Sequence, residues 1–238
     1  MSSLNARPVT NPDFIDVAGR RIAYRRRVGA GPTIVFLPGY ASDMEGKKAL
    51  ALDAFAELRG HSVLRFDYSG TGSSAGRFED GTLTAWLEEA LAATDRLTSG
   101  RLILVGSSMG GWVALNLALR RPERVAALVG IAAAPDFTDW GFADGDAAER
   151  AGLARGFWDS GKTHLLLNKE IGIDCPVRLI HGEHDEEVPL DVAFRTMRAL
   201  RSADVQLNVI KGSGHRLSEP HEIDAILRTV AALLELAS

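Results

Sequence analysis

Apolar residues in this chain gather in short continuous blocks, and longer stretches with helical spacing lie between them. The blocks are residues 33–37 (TIVFL), 62–66 (SVLRF), 102–105 (LILV), 125–133, 177–180 (VRLI) and 205–210. A short apolar block bounded by turn residues reads as a strand covered on both faces. Residues 22–26 add an early strand, expected to be antiparallel. The helical stretches fall between the blocks. Ser42-Asp43-Met44-Glu45 has the form of a capping box and opens a helix through Leu50, Phe55 and Leu58 that ends at Gly60, a suitable C-terminal cap. Residues 84–97 and 190–201 read as helices. Residues 109–121 form a helix stopped by Pro122 and apolar nearly all round (Trp112, Val113, Leu115, Leu117, Leu119), so it is expected to be buried. The last helix carries Ile223, Ile226, Leu227, Val230, Leu233 and Leu234 on one face.

This alternation predicts an α/β fold: a mostly parallel sheet of about eight strands flanked by helices. Residues 136–172 interrupt it, with Trp140, Phe142, Phe157, Trp158 and the run Leu165-Leu166-Leu167 set among charges and glycines. The expectation is one domain over residues 1–238, carrying a short lid-like insert at 136–172.

Composition narrows the class of protein. The 238 residues are 46% hydrophobic and 24% charged, with a formal net charge of −4. That balance gives no reason to expect nucleic acid or an anionic membrane as partner. The longest apolar run, 125–134, is about half the ~20 residues a membrane helix needs, so no stable membrane insertion is expected. Cys175 is the one cysteine, which excludes an intrachain disulfide, and no Cys/His cluster has zinc spacing. Just before a strand, such a cysteine is usually a small buried hydrophobe. Residues 1–11 lack an apolar core and a basic leader, and a cytoplasmic location is expected.

The chemistry starts at Gly106-Ser107-Ser108-Met109-Gly110, a G-x-S-x-G match. Serine is also a common helix N-cap, so the pattern alone decides little. Its setting decides more, because a strand precedes it and a buried helix follows. That setting resembles the nucleophile elbow of an α/β-hydrolase fold. The turn is tight enough to demand glycine at 106 and 110, and it puts Ser108 at a helix N-terminus that favours developing negative charge.

A serine nucleophile needs a base. In this fold the acid and then the histidine follow the serine in the chain. Of six histidines, His215 lies in the loop after the last strand, within Gly212-Ser213-Gly214-His215. His61 reads as a surface residue at a strand start, His164 as part of the insert, His181 as a strand-end residue satisfying a backbone group, and His221 as the opening of the last helix. Asp185 is the expected acid, in the loop after the strand 177–180, with Glu186 and Glu187 as neighbours and Asp136 as runner-up. Asp136 is otherwise a helix cap at the start of the insert. The oxyanion donors are expected to be the backbone N–H groups of Met109, after the nucleophile, and of Tyr40, in the loop Pro38-Gly39-Tyr40-Ala41.

Together these residues resemble the α/β-hydrolase superfamily from about Arg21 onward, and Asp67-Tyr68-Ser69-Gly70-Thr71-Gly72-Ser73-Ser74 is similar to its turn after the fourth strand. Four segments resemble the mitochondrial acyl-protein thioesterase and acyl-glucuronide esterase family: Leu37-Pro38-Gly39-Tyr40-Ala41-Ser42, Phe66-Asp67-Tyr68-Ser69-Gly70, Val105-Gly106-Ser107-Ser108-Met109-Gly110-Gly111-Trp112 and Cys175-Pro176-Val177-Arg178-Leu179. The resemblance implies a cofactor-free serine hydrolase. It would act on small acyl esters or thioesters, or on S-acylated protein, through an acyl-enzyme intermediate. A perhydrolase or carbon–carbon bond hydrolase on the same residues, and a ligand-binding receptor-like protein, are the alternatives.

Overall fold

The computed structural model describes residues 11–237. The reading of the N-terminus as free of a leader therefore falls almost wholly outside the described residues. Among the described residues, eight strands form one sheet: β1 (Asp13–Val17), β2 (Arg20–Arg27), β3 (Ala30–Leu37), β4 (His61–Phe66), β5 (Leu102–Ser107), β6 (Val125–Ile131), β7 (Val177–Gly182) and β8 (Val205–Ile210). Their order is β1-β2-β4-β3-β5-β6-β7-β8. The pairs β1–β2 and β2–β4 are antiparallel, and β4 onward is parallel throughout.

Both faces of the sheet are covered, which is why its central strands read as unbroken apolar runs. Leu102 and Leu104 of β5 enter one core with Trp86, Trp112 and Leu115, while Ile103 and Val105 enter the other with Leu52, Ile226 and Val230. The first core is roofed by α2 (Leu83–Leu97) and α3 (Met109–Arg120), the second by α1 (Lys47–Arg59) and α8 (Pro220–Ala237); α7 (Leu190–Ala199) packs beside β7 and β8. Residues 109–118 are buried at every position, as the all-round apolar pattern required.

Three local features correct or add to the sequence reading. Residues 13–17 form a strand that the pattern did not reveal, because this edge strand is largely exposed. It turns into β2 through Ala18 and Gly19, both at positive φ, a two-residue hairpin that suits the twist of paired strands. Ser42–Glu45 is not a capping box. The first helix begins at Lys47, with Gly46 before it. The groups expected to form the box are used elsewhere: the Glu45 carboxylate accepts from Arg25 Nε at 2.5 Å, and the Glu45 N–H donates to Asp43 Oδ1 at 2.9 Å. Finally, Ala49, Leu52 and Ala56 form the buried stripe of α1, leaving Leu50 and Leu58 46% and 83% exposed. Alanines at 49 and 56 let the helix lie close to the sheet.

Residues 136–172 hold three short helices, α4 (Phe137–Trp140), α5 (Gly145–Arg150) and α6 (Arg155–Gly161), and a 3₁₀ turn at Lys162–His164. The segment is fastened at the C-terminal end of α6 and just beyond it. Leu83 N–H donates to Ser160 Oγ at 2.9 Å, and Trp112 Nε1 donates to the His164 carbonyl at 3.0 Å.

Candidate active site

Strand β5 delivers the chain to Ser108 and α3 carries it away. Ser108 sits at φ 54°, ψ −121°, a backbone state that costs a non-glycine residue about 1–3 kcal/mol. Its surroundings hold it there. Ser108 N–H donates to Ile131 O at 2.9 Å, and its carbonyl accepts from Gly111 N–H at 2.9 Å and Ala134 N–H at 3.1 Å. A Cβ at Gly106 would collide with the Gly110 carbonyl, and one at Gly110 with the carbonyls of Leu37 and Pro38. The glycine at each flank is therefore a steric requirement of the turn.

The loops after β7 and β8 bring the other two residues to the same place. Val188 N–H and Glu187 N–H donate to Asp185 Oδ1 at 2.8 and 3.0 Å. The two loops are stitched together by His184 N–H to Ser213 O at 2.8 Å and Gly212 N–H to Glu183 Oε2 at 2.9 Å. His215 then stands between Asp185 and Ser108. Its Nδ1 lies 2.9 and 3.1 Å from the Asp185 carboxylate oxygens, and its Nε2 lies 3.0 Å from Ser108 Oγ. A carboxylate only accepts, so Nδ1 carries the proton and Nε2 is left to accept from the serine hydroxyl. Glu187 Oε2 lies 3.6 Å from the same Nε2 on the exposed side.

Asp185 has no exposed side-chain surface. Burial pushes its carboxyl up, but the hydrogen bonds from His215 and Val188 and the nearby His215 and His181 rings outweigh that, and the net result lies below the ordinary value. His181 was expected to serve a backbone group, and its Nε2 does lie 2.9 Å from Val188 O; it is also 3.4 Å from Asp185 Oδ2. The carbonyl fixes the proton on that nitrogen, so the ring supports the acid from behind.

Asp136 stands elsewhere. Its carboxylate accepts from Leu166 N–H at 2.9 Å and Leu167 N–H at 2.7 Å, which ties the start of the insert to a stretch thirty residues on. It precedes α4 but makes no side-chain cap, so neither reading of Asp136 from the sequence describes it. Burial raises its carboxyl above the ordinary range despite those bonds.

Gly39, Tyr40, Ser108, Met109 and His215 all line one cavity of about 1010 Å³. A Cβ on Gly39 would lie 3.4 Å from Ser108 Cβ, so the 38–41 loop runs directly beside the serine. Phe137, Trp140, Phe142, Leu153 and Val188 give the cavity an apolar wall, drawn largely from the insert. Ser42, Asp43, Lys47, Lys48 and Arg216 line it elsewhere. Lys48 Nζ donates to Arg216 O at 2.5 Å, securing the residue after His215. Trp140 and Phe142 were singled out from the sequence within the insert; Phe137, Leu153, Val188 and the polar support residues were not, and the aromatic content of residues 136–172 was the available signal. Burial pushes the Cys175 thiol up to about 11, in keeping with a packing role.

The family model described as alpha/beta hydrolase fold matches residues 32–152. The chain belongs to the alpha/beta-hydrolase fold family. Within that family it is 37% identical to the human palmitoyl-protein thioesterase ABHD10, mitochondrial, over 91% of this chain and 78% of the relative. The structure of alpha/beta hydrolase domain-containing protein 10 from mouse superposes with a TM-score of 0.89 at 34% identity, covering 96% of this chain and all of that one. A putative hydrolase from Agrobacterium vitis S4 gives 0.88 at 36% identity, covering 94% and 98% of the two chains. These hydrolase relatives correct the expectation of a cytoplasmic location, since the thioesterase relatives are named as mitochondrial. That expectation rested on a stretch of N-terminal sequence, and location is not encoded in the fold chemistry described above.

Proposed function

We propose that this chain is a serine hydrolase that cleaves acyl thioesters and esters, with Ser108 as nucleophile, His215 as base and Asp185 as the acid that orients it. The observation that carries the reading is the unbroken relay from Asp185 through His215 to Ser108 Oγ, with links of 2.9 and 3.0 Å, opening on a cavity with an aromatic wall. Relatives named as palmitoyl-protein thioesterases favour an acyl group on sulfur, and an S-acylated protein or small acyl thioester is the proposed substrate class.

The chemistry follows from the geometry. Ser108 Oγ attacks the acyl carbonyl carbon as its proton passes to His215 Nε2, while Asp185 stabilises the imidazolium. The N–H groups of Tyr40 and Met109 are the proposed donors to the oxyanion, each such donor being worth roughly 3 kcal/mol in the transition state. Collapse breaks the bond to the leaving sulfur or oxygen, which takes the proton from Nε2 and departs. Water, deprotonated by the same nitrogen, then attacks the acyl-enzyme and releases the acid. No metal or cofactor enters any step. Residues 136–172 act in this reading as a lid within a single domain, with the acyl group lying against Phe137, Trp140 and Leu153.

A fluorophosphonate probe tests this directly. Stoichiometric labelling on Ser108, lost in Ser108→Ala, is expected, together with turnover of acyl thioesters. Folded protein that neither labels nor hydrolyses thioesters or esters from two to sixteen carbons would overturn it.

A further inference from the structure

Tyr40 contributes more than a backbone N–H to its surroundings. Its phenol oxygen accepts the Ala154 N–H at 3.1 Å, across 114 residues of chain. Ala154 precedes α6 and offers no capping side chain, so the tyrosine satisfies an N–H that the helix start leaves unpaired. The ring is gripped from two sides. Phe157 of α6 and Phe137 of α4 lie 5.0 and 6.3 Å away on the insert, and Phe78 and Trp86 lie 4.9 and 5.9 Å away on the main body.

The backbone of the same residue sits in a tight turn. Ser42 N–H donates to Gly39 O at 3.2 Å, and Ala41 between them holds φ 54°. Gly39, one residue back, runs beside Ser108, where an added Cβ would meet Ser108 Cβ at 3.4 Å. The insert end of the tether is itself anchored, because α6 is bolted to the start of α2 through Ser160. Leu153, next to the tethered N–H, lines the cavity.

We infer that Tyr40 is a positioning residue whose phenol couples the acyl-binding wall of the insert to the loop beside Ser108. This rests on the reading above, in which the Tyr40 N–H is an oxyanion donor. An acyl chain packed on Leu153 and Phe137 steadies the segment that holds the phenol, and the phenol steadies the donor. Binding energy from the far end of the acyl group is thereby expressed in the chemical step, since small displacements of a positioned group cost rate steeply.

The test is Tyr40→Phe, which keeps the ring and the backbone N–H and removes only the phenol oxygen. Wild type and variant are compared on p-nitrophenyl esters and matching acyl thioesters from two to twelve carbons. Loss of one neutral hydrogen bond is expected to lower kcat about fivefold on the long chains and less on acetyl, with KM changing less than about twofold. Ala154→Pro removes the donor from the other end, at a residue whose φ of −61° suits proline, and should reproduce the same pattern. Unchanged kcat in both variants, an effect on KM alone, or an equal loss at every chain length would overturn the coupling. Ser108→Ala is run alongside. Turnover surviving in that variant would overturn the hydrolase reading and the coupling with it. Turnover abolished there, with wild-type kcat in Tyr40→Phe, would overturn the coupling alone.

Discussion

The elbow around Ser108 and the insert at 136–172 are built on opposite principles. The elbow is backbone: β5, a strained turn and α3, buried from Met109 to Ala118, with glycines where a side chain cannot fit. The insert is side chain: three short helices held by Asp136, Ser160 and aromatic packing, with exposed ion pairs such as Arg155–Asp146 on its surface. Exposed pairs of that kind add ~1 kcal/mol or less. A reaction type needs atoms placed to a fraction of an ångström, which rigid backbone provides. Selectivity needs a wall whose shape can vary without disturbing the nucleophile. The two regions meet at Tyr40, which belongs to the first by its backbone and to the second by its phenol.

Substitutions can break this division. The largest effect belongs to the elbow: Ser108→Ala should lower kcat by roughly 10⁴-fold or more on every acyl length, measured by steady-state kinetics. Asp185→Asn should cost about 10³–10⁴-fold, because an amide no longer holds the imidazole in the right tautomer. The same variant carries a stability signature. Asp185 is held below its ordinary 3.8, so its carboxylate favours the folded state at pH values above that figure. The contribution is lost as pH falls through the lower folded-state value. The stability gap between wild type and Asp185→Asn in urea unfolding should therefore be widest near neutrality and close below about pH 4.

The insert should respond differently. Trp140→Ala removes part of the cavity wall and should lower kcat/KM about tenfold on long acyl chains, while acetyl substrates change less than about twofold. An equal loss at all lengths would erase the distinction between the regions. The smallest effect is at Cys175. With its thiol at about 11, alkylation by iodoacetamide at pH 7.5 should be slow and leave activity unchanged.

Much of this division was legible in the chain, for reasons that differ residue by residue. The strands were legible because cover on both faces makes β3 and β5 continuous apolar runs. The meeting of Ser108, Asp185 and His215 was legible because each follows a strand, and strand order fixes where strand ends meet. What escaped depends on partners distant in sequence. The apparent capping box at 42–45 failed because Arg25, on another strand, claimed the Glu45 carboxylate. Edge strand β1 escaped because its exposed residues carry no burial pattern. Asp136 looked like a cap or an acid, yet its partners are backbone groups at 166 and 167, which no local motif announces.

Mass spectrometry of protein quenched during turnover of a long-chain acyl thioester bears most directly on the role of Ser108. An acyl adduct on the peptide containing Ser108, absent in Ser108→Ala, is the expected result. An adduct on Cys175 or any other residue, or turnover that persists in Ser108→Ala, would contradict it.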